Sequence, residues 1–158
     1  MKPVTVREIK KELDHLTQNE VQELCLRLSR FKKENKELLT YLLFESSNEA
    51  DYIASVKQYI DNQFKVINTK SYFYIRKSVR KILTNTKKYI RYSQQKETEV
   101  ELLLYFCTNL KNFKPSIKNS PRLQNTYNRQ IEFIKKALAT LHEDLQYDYN
   151  LTLEELGC

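Results

Sequence analysis

Apolar residues recur along this chain at intervals of three and four, the spacing that places side chains on one face of an α-helix. The first block carries Val6, Ile9, Leu13 and Leu16. The second carries Val21, Leu24, Cys25, Leu28 and Phe31, continuing or restarting at Asn35 through Leu38, Leu39, Leu42 and Leu43. A third begins at Asn48 and sets Ile53, Val56, Ile60, Phe64 and Ile67 inward. A fourth runs from about Ser71 to Tyr92, a fifth from Thr98 to about Asn112, and a sixth from Pro121 to about Gln146, where Leu123, Tyr127, Ile131, Ile134, Leu138, Leu141 and Leu145 share a face. Leu151 to Leu156 adds a turn at the end. Tyr72 to Ile75 is aromatic and β-branched enough for a strand, but the helical period continues straight through it to Ile90.

Helix starts are marked by the capping box, in which a Ser or Thr and a Glu three residues later satisfy free backbone N–H groups reciprocally. Thr5 with Glu8, Thr17 with Glu20, Thr98 with Glu101, and Thr152 with Glu155 all have this spacing, and Ser120 followed by Pro121 marks a fifth start. The chain has one glycine, Gly157, and three prolines, Pro3, Pro115 and Pro121. Positive backbone φ is therefore costly almost everywhere, which argues against tight hairpins, phosphate-cradling loops, dinucleotide folds and nucleophile elbows. The expected fold is all-α: six or seven amphipathic helices packed as an antiparallel bundle or a short α-solenoid, in a single domain over 1–158.

A composition of 41% hydrophobic and 30% charged residues, with 11 tyrosines and 7 phenylalanines, is too apolar for a disordered chain. The longest uncharged apolar stretch, Leu102 to Leu110, is far short of the roughly 20 residues that span a bilayer. Met1 to Asp14 is charged and has no apolar signal core. A cytoplasmic protein without a membrane partner is expected. Cys25 and Cys107 sit in apolar helical patterns and read as reduced core thiols, with Cys158 a terminal thiol. No metal-ligand spacing links these cysteines to the two histidines: His142 reads as an exposed helical residue, and His15 stands where it can meet a helix carboxyl end. No metal, cofactor or catalytic residue is expected, and the chain reads as non-enzymatic.

The net charge of +7 is local. Between Asn62 and Lys96 stand ten basic residues and no acid, so the remaining 17 basic residues face all 20 acids and leave the rest of the chain net negative by three. On a helical wheel Arg76, Lys77, Arg80, Lys81, Lys87, Lys88 and Arg91 fall within an arc of about 140°, opposite Ile75, Val79, Ile82, Leu83, Tyr89 and Ile90. Like charges four residues apart each cost about 0.2–0.5 kcal/mol in an isolated helix, so something acidic should lie opposite. The candidates are a carboxylate-bearing helix of the same chain (Glu97 to Glu101, Glu143 to Asp148, or Glu154 and Glu155) and an external anion, the alternative being a face that is simply solvated. Lys111, Lys114, Lys118, Arg122 and Arg129 lie in a second acid-free window, Leu102 to Ile131, and extend such a surface if it packs alongside. Tyr72, Phe73, Tyr74, Tyr89 and Tyr92 interleave with the charges, as core or rim residues or as stacking platforms.

The segment REIKKELDHLTQNEVQELCLRLSRFKKENKELLTYLLF, Arg7 to Phe44, resembles short helical bacterial proteins grouped as a domain of unknown function, with a lysine-rich first turn, a capped second helix and a leucine- and tyrosine-bearing third segment. The resemblance implies an all-α intracellular protein and no activity. The expected function is a binding or scaffolding module whose basic helical face, about residues 70–92, meets nucleic acid or an acidic protein. The alternatives are a helical-repeat interaction domain working through an apolar groove, and an enzyme of unrecognised type. Leu38, Leu39, Tyr41, Leu42, Leu43 and Phe44 cover more than one helix face, which would suit burial in a homodimer.

Overall fold

Every apolar block of the chain is helical in the computed structural model, which describes residues 1–157; the thiol expected at Cys158 lies outside them. The all-α expectation holds, with no strand among the described residues, and Tyr72 to Ile75 opens a helix. The described residues form eight α-helices rather than six or seven: α1 (Val6–Leu13), α2 (Gln18–Phe31), α3 (Lys33–Thr40), α4 (Glu49–Lys65), α5 (Tyr72–Ser93), α6 (Lys96–Asn112), α7 (Pro121–Leu138) and α8 (Glu143–Glu155). A π-helical turn, Tyr41–Glu45, precedes α4, and a short 3₁₀ turn, Ile117–Asn119, precedes α7. None of these helices is long and apolar enough to cross a membrane.

The extra helices come from two breaks that periodicity does not reveal. Lys32 is extended (φ −140°, ψ 145°) and separates α3 from α2. The sixth block, expected to reach Gln146, ends at Leu138, because His142 is extended (φ −60°, ψ 148°) and its Nδ1 accepts from the Asp144 N–H at 3.3 Å. His142 is thus exposed, as expected, but it caps α8 instead of sitting inside a helix. Two of the four capping boxes are caps: Thr5 with Glu8 and Thr17 with Glu20 exchange both bonds, which hold the Glu8 and Glu20 carboxyls below their ordinary pKa. The other two expected caps are helix-internal. Thr98 is buried in α6 and donates to Glu49 at 2.6 Å, and Thr152 lies inside α8.

The chain divides into two compact units, residues 1–44 and the chain from Glu45 onward. In the first, α2 packs against α3, and the Asn35 Nδ2 donates to the Leu28 carbonyl at 2.9 Å. Here the apolar periodicity does not mark a core: Val6, Ile9, Leu13, Leu16, Leu24, Leu28 and Phe31 are exposed, as are Leu38, Leu42, Leu43 and Phe44. Cys25, expected to be a core thiol, is exposed as well. Three short helices have too few neighbours to cover the apolar stripes they present.

The second unit is built on α6, on which α4, α5, α7 and α8 all pack. Its sequence ELLLYFCTNL is apolar on nearly every face, as a central helix requires, and Val100, Leu102, Leu103, Leu104, Phe106, Cys107 and Leu110 are all buried. Around it close Val56, Ile60 and Phe64 of α4, Ile75, Val79 and Ile82 of α5, and Leu123, Ile131 and Ile134 of α7. Tyr72 fixes the start of α5 by donating to the Ser116 carbonyl at 2.8 Å. The Tyr149 hydroxyl of α8 reaches Glu97 and Glu101 of α6, and burial next to those two carboxylates pushes its phenol well above the ordinary range.

The turn between α5 and α6 shows what a chain nearly free of glycine does where it needs positive φ. Gln94 takes the left-handed conformation (φ 58°, ψ 11°) at the end of α5, a position glycine usually fills. Gln94→Gly is expected to stabilise the protein by roughly 1 kcal/mol by relieving that strain. The denaturation midpoint measures it, and a fall in stability would show that the Gln94 side chain contributes more than its backbone costs.

Candidate anion-binding groove

The basic residues of α5 lie along one uninterrupted helix but meet different surroundings. Lys77, Lys81 and Arg91 are exposed. Lys88 lies over the Tyr89 ring, its Nζ 5.0 Å from the centroid. Lys87 lies over the Phe133 ring of α7 at 4.6 Å, and its partial burial there lowers its pKa against the pull of Glu99. Arg76 and Arg80 of the stripe line a recess. They line a groove of about 380 Å³ whose other wall is α7.

The register of that groove follows from two helices packed on a common third. α5 contributes Arg76, Val79, Arg80 and Leu83; α7 contributes Arg122, Leu123, Asn125, Thr126, Arg129 and Gln130. Both helices pack on α6 and advance in the same direction, since Arg76 and Arg80 share the groove with Arg122 and Arg129, while further along Lys87 meets Phe133. Successive turns of each helix therefore add to one continuous line of side chains. Val79 and Leu123 are buried and belong to the apolar base, so four guanidiniums stand over a low-dielectric floor.

No hydrogen bond or ion pair engages the side chains of Arg76, Arg80, Arg122 or Arg129 among the described residues. The acids of the Glu97 to Glu101 stretch, one of the three considered as partners within the chain, are engaged elsewhere. Glu101 pairs with Lys57 of α4 at 2.6 Å, Glu99 with Lys96 at 2.7 Å, and Glu97 accepts from Tyr149. Glu49, Glu97 and Glu101 line a different recess, between α4 and α6, which shares no residue with the arginine groove. Gln130 adds one more feature: it is only 4% exposed, its Nε2 donates to the Thr126 carbonyl at 3.4 Å, and its Oε1 has no hydrogen-bond partner within the protein.

Of the extension considered from sequence, Arg122 and Arg129 reach the groove. Lys111 instead donates to the Glu155 carbonyl at the end of α8, at 3.4 Å. Lys114 and Lys118 are exposed in the segment before α7 and do not line the groove. Arg129 and Gln130 complete the site. Arg129 was visible as part of the acid-free window, and Gln130 carries its own signal, a polar residue in the buried register of Tyr127, Ile131 and Ile134.

The first unit holds a recess of another kind, about 240 Å³ between α2 and α3, lined by Cys25, Leu28, Ser29, Asn35, Leu38, Leu39 and Leu42 without a charged group. Among the described residues no cluster of three or more His, Cys, Asp or Glu side chains is placed to hold a metal ion. No family model, curated protein or solved structure matches this chain.

Proposed function

We propose that this protein is a non-enzymatic binding module, a helical bundle around α6, that takes an anionic partner in the groove between α5 and α7. One observation carries the reading: four arginines from two helices converge without any carboxylate to neutralise them. Like charges brought together cost free energy in the empty protein, and an incoming anion relieves that cost as well as adding its own charge-assisted hydrogen bonds. Arginine suits this role because its planar fork meets phosphate or carboxylate oxygens in pairs. Screening by salt should be strong, since the groove is open to solvent.

Inorganic polyphosphate, which carries charge and nothing else to recognise, is the direct probe. Its affinity is expected to fall linearly with salt on logarithmic axes. The double variant Arg76→Ala/Arg129→Ala should weaken it roughly ten-fold or more at low salt and flatten the slope. Lys77→Ala/Lys81→Ala removes the same charge from the outer side of α5 and should do markedly less. Equal losses in the two variants would mean that net charge, not the groove, attracts the anion, and would overturn this reading.

A further inference from the structure

We infer that the anion taken by this groove is a single-stranded nucleic acid, its phosphates on the four arginines and its bases on flanking aromatic rings. This rests on the anion-binding reading above and adds two observations to it. First, the arginines are bracketed by exposed phenylalanines. Phe73, 61% exposed, stands one turn before Arg76 on α5, and Phe133, 48% exposed, one turn after Arg129 on α7. Exposed rings beside a cationic track are what unpaired bases stack on; a duplex keeps its bases stacked on each other and leaves such rings without a partner.

Second, Lys87 lies over the ring of Phe133, which puts a cation at the stacking platform itself and ties the ring to the charged line. From Phe73 to the level of Lys87 the helix rises about 20 Å, room for several nucleotides of a stacked strand at ~3.4 Å each.

The test is fluorescence anisotropy with labelled oligouridylate, competed by an abasic phosphodiester of equal length, a duplex, poly-glutamate and inorganic polyphosphate. The intact strand is expected to bind more tightly than every competitor. Phe133→Ala should weaken the strand roughly ten-fold while leaving polyphosphate unchanged, and Phe133→Tyr, which keeps a stacking ring, should restore it. The ring is half-exposed, so this change should not unfold the protein, and an unaltered far-ultraviolet circular dichroism spectrum verifies that. If the abasic strand, the duplex or poly-glutamate binds as well as the intact strand, or if Phe133→Ala leaves strand affinity unchanged, this inference falls. Polyphosphate binding that still depends on Arg76 and Arg129 would then leave the anion groove standing, and its absence would remove both.

Discussion

Phe106→Ala is expected to destabilise the protein by about 3–5 kcal/mol, the cost of deleting a fully buried aromatic side chain and leaving its volume unfilled. Phe106 has no exposed surface and lies on α6, the helix that α4, α5, α7 and α8 all contact. Its ring centroid is 5.8 Å from that of Phe64 on α4, in a tilted arrangement that adds its own attraction. With helices packed on several sides of α6, no single one can move inward to fill the hole without parting from its other neighbours. The loss should appear as a thermal midpoint lower by roughly 10 °C. Phe106→Leu, which retains most of the buried carbon, should cost less than half as much. A loss below about 1 kcal/mol for the alanine variant would mean that α6 is not the centre of the core.

Glu49→Ala is expected to cost about 2–5 kcal/mol, although the residue is a partly exposed acid that a surface scan would dismiss. Glu49 is the first residue of α4, where the helix dipole favours a negative charge. Its carboxylate accepts from the Thr98 hydroxyl at 2.6 Å and from the Ser93 hydroxyl in a short hydrogen bond. Thr98 is 1% exposed and Ser93 9%, so removing the acceptor strands two buried donors, each costing about 1–3 kcal/mol. Glu49→Gln keeps an acceptor and should lose less than half as much. The triple variant Glu49→Ala/Ser93→Ala/Thr98→Val removes donors and acceptor together and should recover most of the loss in urea denaturation. Should the triple variant be no more stable than Glu49→Ala alone, the cost does not come from stranded hydroxyls.

The Thr98 case shows where local grammar misleads. The spacing of Thr98 and Glu101 fits a capping box, but three residues also separate neighbours on one face of any helix interior. What distinguishes the two is whether another element approaches, and here α4 brings Glu49 to Thr98 while Lys57 takes Glu101. Thr5 and Thr17 cap as their spacing suggests because they stand at exposed starts where no such competitor arrives. His142 fails in the other direction. Its side chain caps α8 in the middle of a pattern whose apolar period shows no interruption, since Leu141 and Leu145 lie at the same interval as the residues before them.

Half of the candidate groove was legible in the same way. A run of cations on one arc of α5 and an acid-free window reaching into α7 are properties of residue order, and both are visible in the chain. Which cations meet is not. Arg76 and Arg80 join Arg122 and Arg129, whereas Lys77 and Lys81, their neighbours on the wheel, remain outside, because only one edge of the arc faces α7 across the groove.

Residue order alone determined that this chain is helical, where most of its helices begin, and that its positive charge is concentrated. Each of these depends on the backbone and on side chains within a turn or two of one another, so the information lies within a short stretch. Tertiary structure alone decided which apolar faces are covered, why the stripes of α1 and α2 are exposed while that of α6 is enclosed, and which arginines share a groove. Those outcomes are set by which helix lies across from which, and a period of 3.6 residues specifies a face without specifying its neighbour.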